Sequence, residues 1–341
     1  CAGFIACTDD DKVKITEFTL TLTEPEDLNV TSISDLHVTF KNVNTGKQTT
    51  NTMTGTTGKI TLNEGLYNIT VEGKMNYIVD EKTVEGQVKG YKESVNLVGT
   101  TSADNIKLFL FNSKADFVIE EVYFAGSTTP EGKQYLADQY IKIYNNSDSV
   151  LYADGLVILE SAFKTSQKYD YTPDIMSRAM AVQCVYAIPG NGKDYPVQPG
   201  KSLLICDKAI DHREANSNSF DLSNADFEWY DDSDKNPDID NPQVTNLDKI
   251  YSYTKTTWSL HNQGLCAYAI ARLQVDKNTF LTDYTYKATY INVIGESQDK
   301  NAYQVPNAWI IDAVNISNKA QYAWNVVDAS LDMGFTYCGE V

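Results

Sequence analysis

Short runs of alternating apolar and polar residues, a high tyrosine content and a shortage of stretches with helical periodicity predict an all-β chain built as two β-sandwich domains. The 22 tyrosines belong to the aromatic and β-branched types that fit a pleated, half-buried surface. Alternate residues of a strand share one face, so a period of two is its direct signature. A chain of 341 residues is long enough for about two cores. No apolar run approaches the roughly 20 residues that a membrane-spanning helix needs. A formal charge of −18 repels nucleic acid and anionic membrane surfaces, which excludes both as direct electrostatic partners.

Residues 1–12 read as a processing and tethering segment. The apolar, small-residue run Ala2-Gly3-Phe4-Ile5-Ala6 precedes Cys7, and the acidic cluster Thr8-Asp9-Asp10-Asp11-Lys12 follows it. An apolar stretch ending in small residues is how an export signal finishes. This junction resembles a bacterial lipoprotein signal, in which the cysteine is acylated, and the acidic residues after it resemble the surface-export signal of Bacteroidota lipoproteins. The resemblance implies a lipid anchor at Cys7 and display at the cell surface, on the outer membrane. Several acyl chains together hold a protein to a bilayer that one chain holds only marginally.

Residues 13–112 show the alternation of an antiparallel sandwich. Phe18-Leu20-Leu22, Leu36-Val38-Phe40 and Tyr67-Ile69-Val71 each put one face inward, and Leu108-Leu110 closes the set. The stretch from Lys59 to Val71, with its Asn63-Glu64-Gly65 turn, resembles a hairpin of transthyretin-like (carboxypeptidase-regulatory-like) domains. That resemblance implies a small seven-stranded spacer or binding scaffold.

Residues 115–341 carry a second pattern. Apolar runs begin at Phe117-Val118-Ile119, Tyr140-Ile141-Lys142-Ile143-Tyr144 and Leu156-Val157-Ile158-Leu159, and turns fall at Gln198-Pro199-Gly200 and Leu260-His261-Asn262-Gln263-Gly264. In this order they resemble the lamin-tail domain, an immunoglobulin-like sandwich, with Gln139 and Lys142 replacing its usual glutamates and with long insertions. One insertion, Phe163 to Met180, holds Thr172-Pro173-Asp174 either as a helix start, with proline at the first helical position, or as an irregular loop. Tyr284, Tyr286 and Tyr290 give the following strand an aromatic face, and Val305 to Val314 reads as one buried strand. Taken together, the segments resemble a family of Bacteroidota surface lipoproteins known as a domain of unknown function, a resemblance of architecture that transfers no catalytic residue.

Chemistry is sparse. Cys184, Cys206, Cys266 and Cys338 are far apart in apolar or aromatic surroundings and read as buried small hydrophobes rather than disulfides. None of the simplest motifs of zinc proteases, serine hydrolases or P-loop ATPases occurs. His261 is expected to hold a turn, and His212, flanked by Asp211 and Arg213, to lie on a solvated loop. The sharpest candidate is the acidic run from Asp231 to Asn241. Asp232, Asp234, Asn236, Asp238 and Asp240 alternate as oxygen ligands of a Ca²⁺ site would, although Pro237 and Gln243 stand where an EF-hand needs Gly and Glu. Repulsion alone would equally keep this loop solvated. Trp229, Tyr230, Tyr251, Tyr253 and Trp258 could form a platform for stacking a sugar or peptide.

The sequence therefore points to a non-enzymatic surface lipoprotein with no required cofactor, whose end loops bind a small ligand, glycan or peptide. Its expected partners are the outer membrane, through the lipid, and a TonB-dependent transporter or other surface protein. A structural or adhesive module is the first alternative. A hydrolase with a carboxylate or metal centre in the Asp231 to Asp240 loop is the second.

Overall fold

The structure, a computed structural model, describes residues 14–25, 28–79, 82–111, 116–233, 235 and 237–337. Cys7 and Cys338 lie outside them. The regular structure of the described residues is almost entirely strand, as predicted, and the chain divides into two compact units between Ser113 and Lys114.

The first unit is a seven-stranded sandwich. Its sheets are joined through the strand Thr101–Phe111, whose residues 101–107 run parallel to Ile15–Thr23 while residues 108–111 run antiparallel to Lys82–Leu97. The alternating residues fill the space between the layers, with Phe18, Leu20, Val38, Phe40, Ile69, Val71 and Leu108 wholly buried. Leu110, expected inside, sits at the margin with 36 % of its surface exposed.

The second unit has three layers. A front sheet runs in the order Phe117–Tyr123, Tyr140–Asn145, Ser202–Cys206, Phe227–Glu228, Thr245–Asn246. A larger central sheet contains Thr285–Ile291, Ser297–Pro306, Ala179–Ala187, Leu156–Ser161, Ala267–Arg272 and Ile310–Ser317 in that order. Between the sheets lie Phe117, Ile141, Ile143, Ile205 and Phe227 from the front, against Leu156, Ile158, Tyr186, Tyr268 and Ile270 from the centre. The residues that alternate with these, Val157, Leu159, Ala267, Ala269 and Ala271, face a third layer that contributes Phe280, Trp324 and Val326. Strand Leu156–Ser161 is consequently buried at every position, which is why it reads as a continuous apolar run rather than an alternating one.

Two expectations change. Val305 to Val314 is not one strand. Ser297–Pro306 ends at the proline, a short 3₁₀ turn Asn307–Trp309 follows, and Ile310–Ser317 pairs with a different neighbour, Ala267–Arg272. The Phe163 to Met180 insertion is a loop as far as Arg178, pinned to the sheet edge where Thr172 and Thr289 exchange N–H···O bonds of 2.9 Å in both directions, and its last two residues open the strand Ala179–Ala187. The short helix Lys277–Asp283 starts at Asp276, whose side chain accepts from the Asn278 and Thr279 amides.

Candidate functional site

The acidic run turns its side chains to separate protein partners. Asp231 is 1 % exposed, and its carboxylate accepts from the Tyr186 hydroxyl, the Trp258 amide at 2.6 Å and Lys249 Nζ at 2.6 Å. Asp238 accepts from the Asp231 amide and pairs with Lys208 Nζ at 3.0 Å, while Asp240 accepts from Asn246 Nδ2 at 2.8 Å. Asp232 is exposed, and Asp234 and Asn236 lie outside the described residues. The expected alternating ligand shell therefore does not assemble from Asp232, Asp238 and Asp240: a lysine ammonium and an asparagine amide occupy the carboxylates that were to face one cation. Among the described residues no group of three or more His, Cys, Asp or Glu is placed to hold a metal ion. Asp207 adds a further carboxylate beside Lys208, at 3.2 Å, and burial pushes it up to about 7 despite the lysine.

The aromatic platform fails for a related reason. Trp229 and Trp258 are wholly buried, with ring centroids 5.2 Å apart, and the Trp229 indole N–H donates to the Trp258 carbonyl. Tyr251 packs on Tyr303 at 4.4 Å, and only Tyr253, with Lys300 Nζ 5.9 Å from its ring, is largely exposed. Tyr230 is half-buried. These five residues give a core and its margin rather than a shared wet face.

Neither histidine of the second unit, His212 or His261, is poised for catalysis. His212 is buried, contrary to the solvated loop expected. Its Nε2 lies 2.9 Å from the Lys208 carbonyl and so donates to it, which leaves Nδ1 to accept from the Tyr135 hydroxyl at 3.0 Å. Burial lowers its pKa, and the neutral tautomer is the one these partners require. Nearby Asp138 is buried too, but its oxygens take Ser127 and Ser219, so no serine is bonded to the imidazole. His261 holds its turn, with Nδ1 accepting from the Gln263 and Leu265 amides. Cys184, Cys206 and Cys266 are free and buried, and burial pushes each thiol up, away from the reactive thiolate.

The concave site lies elsewhere, over the third layer of the second unit. A cavity of about 240 Å³ is walled by the rings of Phe163, Tyr169, Tyr171, Tyr286 and Trp324. Tyr171 stacks on Phe163 at 3.8 Å and 24°, and lies 5.7 Å and 24° from Trp324. Tyr169 and Tyr290 stand across it at 88° and 61°. Ile175, Ala179 and Val326 close the floor, and the exposed Lys168, Asp170 and Asp174 surround the mouth. The loop that carries these rings is tied down at several points. Tyr286 donates to the Pro173 carbonyl at 2.8 Å, the Trp324 indole N–H to the carbonyls of Lys164 and Gln167 at 2.9 Å, and Thr165 Oγ1 to the Ile316 carbonyl at 2.8 Å. Burial, followed by its tyrosine neighbours, raises the Tyr171 phenol, so the hydroxyl stays protonated. Sequence reasoning passed over this site because its rings come from three separate stretches of the chain, Phe163 to Tyr171, Tyr286 and Trp324. The alternation Tyr169-Asp170-Tyr171 and the aromatic face of Tyr284, Tyr286 and Tyr290 were its visible parts.

Comparison with known proteins places this architecture. Residues 198–341 match the model of a family described as a protein of unknown function, DUF4876. The crystal structure of a DUF4876 family protein from Bacteroides thetaiotaomicron VPI-5482 is similar with a TM-score of 0.57 at 24% sequence identity, covering 95% of this chain and 84% of that one, a likeness of fold. A putative adhesin from Bacteroides ovatus ATCC 8483 aligns over 90% of this chain and 87% of that one at 8% identity, and its TM-score of 0.20 carries no argument. No curated protein matches.

Proposed function

We propose that the protein is a non-enzymatic binding protein whose contact site is the aromatic cavity of its second unit. The observation that carries this reading is the cavity itself: a tied-down concave surface with an apolar floor, ring walls and a few polar groups at the mouth is the usual form of a small-ligand site. The buried Glu160, Asp231 and His212, by contrast, are spent on internal hydrogen bonds, and this supports binding over hydrolysis. A thermal-shift screen of a small-molecule library on wild type and on Tyr169→Ala tests it. Compounds that stabilise the wild type and lose their effect in the variant are expected, and a library without one would remove the reading.

Within this proposal the protein is an outer-membrane surface lipoprotein anchored through Cys7, and the captured ligand passes to a TonB-dependent transporter or other surface partner. Support comes from the residues around Cys7 and from the Bacteroides source of the similar fold. Palmitate labelling in cells should disappear with Cys7→Ala. A second, adhesive reading draws on the hairpin tip after Thr285–Ile291, where Ile291, Val293 and Ile294 are 58, 86 and 73 % exposed. If it holds, Val293→Glu together with Ile294→Glu reduces attachment of cells that display the protein.

A further inference from the structure

We infer that the aromatic cavity takes one sugar residue, either free or at the end of a glycan; this rests on the reading that the cavity is the contact site. A sugar ring offers an apolar face of C–H groups and a periphery of hydroxyls that donate and accept at once. The cavity answers both. Its walls are rings, with Tyr171 tilted 24° from each of Phe163 and Trp324 and those two 40° from one another, and an apolar ligand face packs on the ring surface they leave uncovered. Its mouth offers acceptors on Asp170 and Asp174, a donor on Lys168, and the hydroxyls of Tyr169 and Tyr171, which make no hydrogen bond with other described residues. The Asp174 carboxylate already accepts from the Met176 amide through one oxygen, which leaves the other for a ligand.

Other ligand classes use only part of this. A quaternary ammonium would suit the rings and the carboxylates, but Lys168 Nζ already stands 6.0 Å from the centroid of Trp324, where it repels a second cation. An anion meets two aspartates on a chain of net charge −18. A flat hydrocarbon or phenol would fill the walls but leave the hydrogen-bonding groups of the mouth without a partner on the ligand. Only a neutral ring rich in hydroxyls pairs with the whole set. The volume of about 240 Å³ lies below the roughly 300–1,000 Å³ of sites for drug-sized ligands, so the cavity admits one ring and not a chain.

The test uses the full chain and a panel of probes: methyl glycosides of the common hexoses, pentoses, deoxyhexoses, uronic acids and N-acetylhexosamines, with tetramethylammonium and p-cresol as rivals. Binding is read by saturation-transfer NMR and by tryptophan fluorescence. At least one neutral glycoside should saturate, in the millimolar range that a single small ring allows. Tyr169→Ala and Asp170→Asn, both at half-buried or exposed positions that spare the core, should each weaken it by about fivefold or more. Saturation by tetramethylammonium or p-cresol with no glycoside bound would overturn the sugar assignment and leave the cavity as a binding site. Binding of a glycoside that neither variant weakens would overturn it as well, by moving the sugar elsewhere. If no probe binds, the assignment falls, and the library screen then decides separately whether the cavity binds anything.

Discussion

Glu160 lies in the middle of the central sheet with 2 % of its surface exposed, and its carboxylate accepts from Gln183 Nε2, the Trp258 indole and the Tyr268 hydroxyl. Burial outweighs those three donors and pushes it from 4.5 up to about 7. A folded-state pKa above the unfolded value means that the folded protein holds the proton more tightly. Its contribution to stability is therefore complete below about pH 4.5 and is lost as pH rises through 7, a difference of about 3 kcal/mol. Asp207, at about 7, and Asp312, at about 6, act with the same sign. Denaturant unfolding should show lower stability at pH 8 than at pH 5, and Glu160→Gln should flatten part of that slope. An unchanged slope in the variant would mean that the donors hold Glu160 ionised throughout. None of this was legible in the sequence, because a glutamate after Val157-Ile158-Leu159 does not reveal that its strand is covered on both faces. Gln139 was legible only as a departure from a pattern. Its reason is geometric: the amide donates to the Phe124 and Leu260 carbonyls and accepts from the Leu260 amide at 2.9 Å, and a carboxylate cannot do both.

Strands such as Ile15–Thr23 of the first unit and Tyr140–Asn145 of the front sheet were readable from alternation because only one face of each is buried. The central sheet was readable only as apolar runs, since a period of two vanishes when both faces are buried. Ala267, Ala269 and Ala271 alternate there with Tyr268 and Ile270, so the large side chains fill the space between the sheets and the small ones let the third layer come close. Ala269→Leu should thus overpack that layer and destabilise by roughly 1–3 kcal/mol or more, whereas Leu at the exposed Lys287 on the edge strand should be nearly neutral. Equal midpoint shifts in urea would refute the three-layer account. The Leu260 to Gly264 turn was legible as a motif, and the structure supplies its reason. Gly264 has φ +59°, and a Cβ there would meet the Phe124 ring at 2.5 Å. Gly264→Ala combines backbone strain with that clash, and a loss of about 2 kcal/mol or more is expected in the same assay. The insertion after Phe163 was illegible for the opposite reason: its position is set by Thr289, Ile316 and Trp324, contacts that lie more than 100 residues away.

Each of the two units closes its own core. The first gathers its buried side chains, from Phe18 to Leu108, into one cluster, and the second divides its own between the two faces of the central sheet, with a small satellite around Cys206 and Leu222. A polar break in composition at Asn112-Ser113-Lys114-Ala115-Asp116 made that division visible in the sequence, because a chain leaving one core must satisfy its backbone in water before entering the next. What the sequence could not convey was that the second unit is thicker than a plain sandwich, and its cavity sits over the added layer. The cavity should therefore belong wholly to that unit. Residues 114–341 produced alone are expected to unfold in one cooperative urea transition and to bind the same probe as the full chain with an affinity changed by less than about twofold. Residues 13–113 alone should fold and bind none of it. If the longer fragment failed to fold, the second core would depend on the first unit. If it folded but lost the probe, part of the contact region would lie outside the loop tied down at Thr172 and Trp324.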